Sequence, residues 1–307
     1  MVRELAGKGR GHGGGKVILL GEHAVVYGQP AIASGLPLGV SVSLVPAPSG
    51  TRVFEPDLPA EVEQAATRAA ELAGLGREAG FRLELHGDLP VAVGLGSSAA
   101  LAVALVRAFA DASGETLSAQ ETTARANRIE EQFHGKPSGI DATTATVGGV
   151  LRFRRGTSLE FEPVAVAGDF HFALVDTGTS HTTSATVSSL ASRVAEEPDR
   201  FEPIFATIGN LACRGERALT SGNPGELGSA MNENHALLLE LGVSTPELEA
   251  AVHVARKVGA IGAKLTGAGG GGVVLALISP GDDDFIARLA EAGFSSRPFR
   301  LAPSVDA

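Results

Sequence analysis

The stretch Pro90-Val91-Ala92-Val93-Gly94-Leu95-Gly96-Ser97-Ser98-Ala99-Ala100 constrains this chain most: a glycine-rich turn runs straight into an apolar segment at residues 98–106. That segment is apolar on nearly every side, so a helix there belongs in a core. Glycine admits positive φ and lets a ligand approach the backbone closely. Ser97 or Ser98 would cap a helix that starts at this point. Such a helix aims N–H groups and the positive end of its dipole into the turn, which makes the turn an anion site, with phosphate the expected anion. Gly94 to Ala99 also fits the loose Gly-x-Gly-x-x-Ala dinucleotide fingerprint, with Glu115 placed like the ribose-binding acid. A plain strand-to-helix turn beside a buried helix is the third reading. A Walker A loop is excluded, because no Gly-Lys-Ser or Gly-Lys-Thr follows.

A chain of 307 residues is long enough for two domains with a large core. Its net charge of −10 argues against nucleic acid or an anionic membrane as partner, since both require a basic surface. A nucleotide substrate remains compatible, because a few local donors hold phosphate. Cys213 is the single cysteine, so no internal disulfide and no thiol-rich zinc site is expected, and a reducing cytoplasm fits. Residues 1–15 contain basic residues but no apolar core, unlike a signal peptide. The apolar run at 273–278 is too short to span a bilayer. The oligomeric state is left open, and a homodimer is compatible with everything above.

Residues 1–15 read as a loose polar tail. Strands are expected at 16–20, 40–45, 52–54 and 81–86, the last from its alternation of Phe81, Leu83 and Leu85 with Arg82, Glu84 and His86. Helices are expected at 61–72 and 117–133, the second capped by Ser118. Residues 148–153 and 158–161 read as a hairpin, and 163–169 as a linker. The domain boundary is therefore set at 165/166, giving domains 1–165 and 166–307. Beyond it come a strand at 170–176, helices at 183–196, 201–218, 227–241 and 246–259, and a second glycine loop at 267–272 leading into a strand. A helix at 282–292 and a strand at 296–301 finish the chain.

Phosphoryl transfer from ATP to an alcohol needs a phosphate cradle, Mg²⁺ and a residue that orients or deprotonates the hydroxyl. The turn around Gly94–Ser98 is the cradle candidate. Ser98 and Glu130 are candidate Mg²⁺ ligands, since Mg²⁺ takes a few protein oxygens beside phosphate and water. Glu130 falls on or beside the apolar stripe of its helix, where a carboxylate is costly unless paired or metal-bound; a salt-bridged flank position is the alternative. Asp141 is the base candidate, or else a helix N-cap. Lys16 would offset phosphate charge and keep Asp141 ionised, or else is a solvated strand-edge lysine. His23, taken by itself, reads as a hydrogen-bonded core histidine.

Taken together, Gly21-Glu22-His23-Ala24-Val25-Val26-Tyr27-Gly28, the Pro90–Ala100 stretch, His134-Gly135-Lys136-Pro137-Ser138-Gly139-Ile140-Asp141 and Lys264-Leu265-Thr266-Gly267-Ala268-Gly269-Gly270-Gly271-Gly272 occur in an order that resembles the GHMP kinases. The Glu22–Gly28 run looks most like the mevalonate kinase branch. The resemblance implies an α+β, two-domain fold: an N-terminal domain like domain 2 of ribosomal protein S5 and a ferredoxin-like C-terminal domain, with the active site in the cleft between them. It implies Asp141 and Lys16 as catalytic residues, Pro90 to Ala100 as the ATP phosphate loop, and Ser98 and Glu130 as Mg²⁺ ligands. It implies Glu22, His23 and Thr183 as mevalonate-pocket residues, and Gly267 to Gly271 as the loop that steadies the site. Departures are the His12-Gly13-Gly14-Gly15 run before Lys16, and Ser180-His181 where relatives often carry Pro or a base. Arg152 is a candidate replacement cation for a substrate carboxylate. The related alternative is another GHMP activity, a phosphomevalonate or sugar kinase. From other classes come a nicotinamide oxidoreductase, which predicts a parallel βαβ sheet, and a non-enzymatic relative that kept the fold. The joint presence of Lys16, Ser98, Glu130 and Asp141 speaks against the last of these.

Overall fold

The computed structural model describes residues 5–90, 93–134, 138–156, 158–179 and 183–303. The chain forms two compact units that interleave in sequence. The first holds residues 1–16, 35–91 and 96–148, and the second 17–34, 92–95 and 149–307. The expected boundary at 165/166 is a single cut, whereas residues 17–34 and 92–95 belong by packing with the second half of the chain.

Strand β1 (Gly9–Leu20) starts well before the expected Lys16, so residues 9–15 are no loose tail. It pairs with β2 (Ala31–Ala47). Glycine normally weakens a strand, but here Gly9, Gly11 and Gly13 share one face. A Cβ on them would lie 2.1, 2.0 and 2.1 Å from the carbonyl oxygens of Ala108, Ala104 and Ala100. Two strand residues advance roughly 6.6 Å and four helix residues about 6 Å. The glycines therefore meet successive turns of one helix, and the strand backbone lies directly on it.

That helix is α2 (Ser97–Ala112), buried on every side from Ala99 to Val106 as its sequence requires. Around it the first unit places β3 (Arg52–Glu55), α1 (Ala60–Leu72), β4 (Gly80–Gly87), α3 (Ala119–His134) and α4 (Ile140–Val147). Strand β4 runs antiparallel to β2 from Val40↔Gly87 to Ala47↔Gly80 and parallel to β3. Phe81 and Phe109 meet edge to face at 5.2 Å inside. Helix α3 opens with the expected Ser118, in a reciprocal box with Glu121: Ser118 Oγ accepts from Glu121 N–H at 3.2 Å, and Glu121 Oε2 accepts from Ser118 N–H at 2.8 Å.

In the second unit a 3-10 turn (Ala24–Tyr27) follows β1. Residues Ala31 to Ser34 of β2 pair with β5 (Val150–Arg155), which forms the expected hairpin with β6 (Leu159–Pro163). The linker expected at 163–169 is partly packed, since Val164 and Val166 are buried. Then come β7 (Phe170–Asp176), α5 (Thr183–Glu196), α6 (Pro198–Thr220), α7 (Pro224–Glu240), α8 (Pro246–Lys257), β8 (Gly262–Leu265), β9 (Val273–Ile278), α9 (Phe285–Glu291) and β10 (Ser296–Leu301). Helices α6, α7 and α8 each carry Pro in the first turn, where its missing N–H costs nothing. Asn223 and Thr245 cap the last two by accepting from Glu226 N–H and Leu248 N–H. The sheet order β10-β7-β9-β8, antiparallel throughout, is the ferredoxin-like 4-1-3-2 order. The fold is the expected α+β class.

Candidate functional site

The first unit brings four expected residues together. Lys16 sits on β1, almost wholly buried, with Nζ 3.3 Å from Asp141 Oδ2. Asp141 lies in the first turn of α4, and its side chain is about one-third exposed at 35%. It is not a cap: Gly139, at φ 85°, holds the N-cap position. The serines do not cap α2 either. Gly96 does, at φ 73° and with no side-chain hydrogen bond, so Ser97 and Ser98 are the first helical residues. Gly96 is required twice. Its φ is left-handed, and a Cβ there would be 2.9 Å from Lys16 Cγ, so the lysine stem crosses the start of α2.

Ser98 Oγ donates to Glu130 Oε2 at 3.3 Å. Glu130 is 2% exposed, so helix α3 turns it inward rather than to the flank. Burial, reinforced by the nearby Asp141 charge, pushes its carboxyl up to about 7, against the pull of Ser98 and Lys16. A hydroxyl and a carboxylate are hard oxygen donors, a set that fits Mg²⁺ when phosphate oxygens and water complete the shell. A carboxylate disfavoured in its charged form is one that a cation would restore. Among the described residues no three His, Cys, Asp or Glu side chains cluster to hold a metal by themselves.

The second unit holds the Glu22-His23 turn and the second glycine loop. Glu22 is wholly buried; its carboxylate pairs with Lys264 Nζ and accepts from Asn234 Nδ2 at 3.0 Å. His23 Nε2 lies 3.0 Å from Ala268 O. Burial lowers its pKa to about 4, with the Lys264 charge adding to the shift against the carbonyl bond, so the ring is neutral near pH 7. Thr266 Oγ1 accepts from Ile18 N–H at 2.9 Å and donates to Ile18 O at 3.0 Å, latching β1 to the end of β8. The loop beyond needs its glycines: a Cβ on Gly269 would be 2.2 Å from Val243 O, and one on Gly272 would be 2.7 Å from Val93 O.

Other expectations fare differently. Glu115 is held bidentately by Arg125, 2.8 Å at each oxygen, so it is no ribose-binding acid. With the largely antiparallel sheets, this overturns the nicotinamide reading. Arg152 lies 3.7 Å from Glu162 and 3.6 Å from Glu216, committed to two carboxylates of its own unit. Val91, Ala92, Gly135, Lys136, Pro137, Ser180 and His181 lie outside the described residues. Thr183 begins α5, and its side chain is likewise outside the description.

The descriptions of the GHMP kinase N-terminal and C-terminal domains match residues 61–149 and 216–294, on either side of residue 165. The mevalonate kinase of Pyrococcus horikoshii is 38% identical over 296 residues, covering 87% of each chain. That of Methanothermobacter thermautotrophicus is 37% identical over 286 residues, covering 89% of this chain and 91% of its own. This chain belongs to the mevalonate kinase family of GHMP kinases. The crystal structure of L. major mevalonate kinase in complex with R-mevalonate superposes with a TM-score of 0.90 at 30% identity, covering 99% of both chains. As a mevalonate kinase family member the chain is an ATP-dependent phosphotransferase with an alcohol acceptor. Streptococcus pneumoniae phosphomevalonate kinase, with a TM-score of 0.79 at 16% identity over 96% of this chain and 99% of its own, shares the fold alone.

Three residues of this family member escaped the sequence reading. Lys264 was only the first letter of a glycine motif, and nothing local marks it as buried. Asn234 sits mid-helix, where Asn is usually solvated. Arg107 on α2 donates to His12 O and Thr146 O, both at 2.7 Å, tying the strand of Lys16 and the helix of Asp141 to the helix of Ser98. Its only sequence signal is a cation inside the apolar run from Ala99 to Ala110 of α2.

Proposed function

We propose that the chain transfers the γ-phosphoryl group of ATP to the primary hydroxyl of mevalonate, giving 5-phosphomevalonate and ADP. The observation that carries this reading is the Lys16–Asp141 pair, 3.3 Å apart, in the same unit as the buried Ser98–Glu130 pair. Asp141 orients the substrate hydroxyl and takes its proton as the O–P bond forms. Lys16, its Nζ 3.3 Å from the carboxylate, holds Asp141 in place and offsets charge on the transferring group. The Pro90–Ala100 stretch supplies main-chain donors and the α2 N-terminus for the nucleotide phosphates. Ser98 and Glu130 would hold Mg²⁺, which supplies charge neutralisation across the phosphates. Glu22, His23 and Thr183 belong to the mevalonate side; the R-mevalonate complex of the L. major relative supports that substrate.

The single cysteine and acidic balance support a cytoplasmic enzyme; among the described residues no helix is long and apolar enough to cross a membrane. Coupled ADP release measured over mevalonate, phosphomevalonate, galactose and homoserine tests the reading. Turnover with mevalonate far above the other three is expected. Preference for any of the others overturns the substrate assignment.

A further inference from the structure

Lys264 and Glu22 are both fully buried and stand 242 residues apart in sequence. Nζ of Lys264 pairs with Glu22 Oε1 and also donates to Leu265 O at 2.6 Å, while Asn234 holds the other carboxylate oxygen. Buried ion pairs are seldom more stabilising than apolar residues of the same volume, so such a pair calls for a conformational reason.

The reason lies one residue on. His23, at φ 60° and ψ −48°, is the one non-glycine residue with positive φ among the described residues. Ala24 N–H donates to Glu22 O at 2.6 Å across it, which makes His23 the centre of a γ-turn in its rare, strained form. A strained residue persists only where its surroundings over-determine it. Here Glu22 is anchored on one side of the turn, and the His23 ring is anchored on Ala268 O on the other. Lys264 joins the two sides. It grips Glu22 through its ammonium, and the same Nζ donates to the carbonyl of Leu265, the last residue of β8, three residues before Ala268. Since a carbonyl only accepts, a neutral His23 bonded to Ala268 O carries its proton on Nε2, and Nδ1 is an acceptor.

We propose that Lys264 is a positioning residue for the alcohol side of the reaction: by clamping Glu22 and the end of β8 it fixes the His23 turn against the Ala268 loop, so that His23 Nδ1 is presented to a hydroxyl of the acceptor substrate. This rests on the reading of His23 as a substrate-pocket residue. Lys264 itself touches no substrate.

The test compares Lys264→Met, His23→Asn and the double variant Glu22→Gln/Lys264→Met in the full chain. In Lys264→Met the KM for mevalonate is expected to rise about tenfold or more, with the KM for ATP within about twofold of the parent. Nitrogen NMR of histidine-labelled protein, with His23 assigned among the eight histidines by His23→Asn, should show its fixed Nε2–H tautomer giving way to exchange between tautomers. The double variant removes both charges and should recover thermal stability. Because Glu22 is itself on the mevalonate side, its readout is the His23 tautomer, which should still exchange, and it carries the test if Lys264→Met fails to fold. A fixed His23 tautomer in the double variant, or an unchanged mevalonate KM and tautomer in Lys264→Met, overturns the inference. A parent-like mevalonate KM in His23→Asn instead overturns the pocket reading of His23. A raised KM there with none in Lys264→Met sinks the positioning role alone.

Discussion

Lys16 and Asp141 differ in burial. The lysine is 4% exposed and has little freedom, while the aspartate side chain is 35% exposed, as the role proposed for it requires. Lys16→Met removes the cation beside the carboxylate, and Asp141→Asn removes the proposed acceptor for the hydroxyl proton. Each is expected to lower kcat by about two to three orders of magnitude or more, with nucleotide affinity by titration calorimetry largely intact. Parent-like turnover in either variant refutes the assigned role. Glu130→Gln keeps the shape but removes the charge a cation needs, so the Mg²⁺ concentration for half-maximal rate should rise. An unchanged titration removes Glu130 from the metal shell.

Among elements, the seating of β1 on α2 governs where Lys16 comes to rest. In Gly11→Ala the added methyl would meet Ala104 O at 2.0 Å, with helix backbone rather than a flexible side chain in the way. A loss of about 1–3 kcal/mol in urea unfolding is expected, along with a lower kcat as the strand shifts. Stability equal to the parent would show that the strand relaxes freely. Arg107→Met leaves the carbonyls of His12 and Thr146 without their charged donor and should cost about 1.5–3 kcal/mol by the same measurement. The glycine run of β1 also shows where sequence reading stops. Helix α2, the Ser118 cap, the β5–β6 hairpin and the C-terminal strands all follow from patterns a few residues long. Strand β1 does not, because its glycines are explained only by a helix about ninety residues away. The four residues of the first unit's site were legible because glycine turns and inward carboxylates mark themselves. Lys264, Asn234 and Arg107 were not, since each is defined by partners that no local pattern reveals.

At the scale of the whole molecule, two buried histidines make stability depend on pH in the mildly acid range. His23 and His235 both have pKa values pushed well below the ordinary range by burial. Protons bind the unfolded chain first, so stability rises with pH from about 4 to about 6.5 and is lost as pH falls through that window. For His23 the loss approaches roughly 3 kcal/mol. In the metal-free protein Glu130 acts in the opposite sense, since the folded state binds its proton more tightly between its ordinary value and about 7. Urea midpoints across this range should therefore climb between pH 4.5 and 6.5 by the net of two histidines over one carboxyl. A flat profile would mean the histidines are already protonated or solvated in the native state.

The interleaving of the two units has a consequence for how the polypeptide leaves the ribosome. Every residue of the Lys16, Ser98, Glu130 and Asp141 set has emerged once residue 148 is out, and its surrounding core can close at that stage. Residues 17–34 cannot, because Lys264, Thr266 and Ala268, the partners of Glu22, Ile18 and His23, are translated near the end. A nascent chain thus carries the apolar half of β1 uncovered for more than a hundred codons, and that segment is where a chaperone has most to shield.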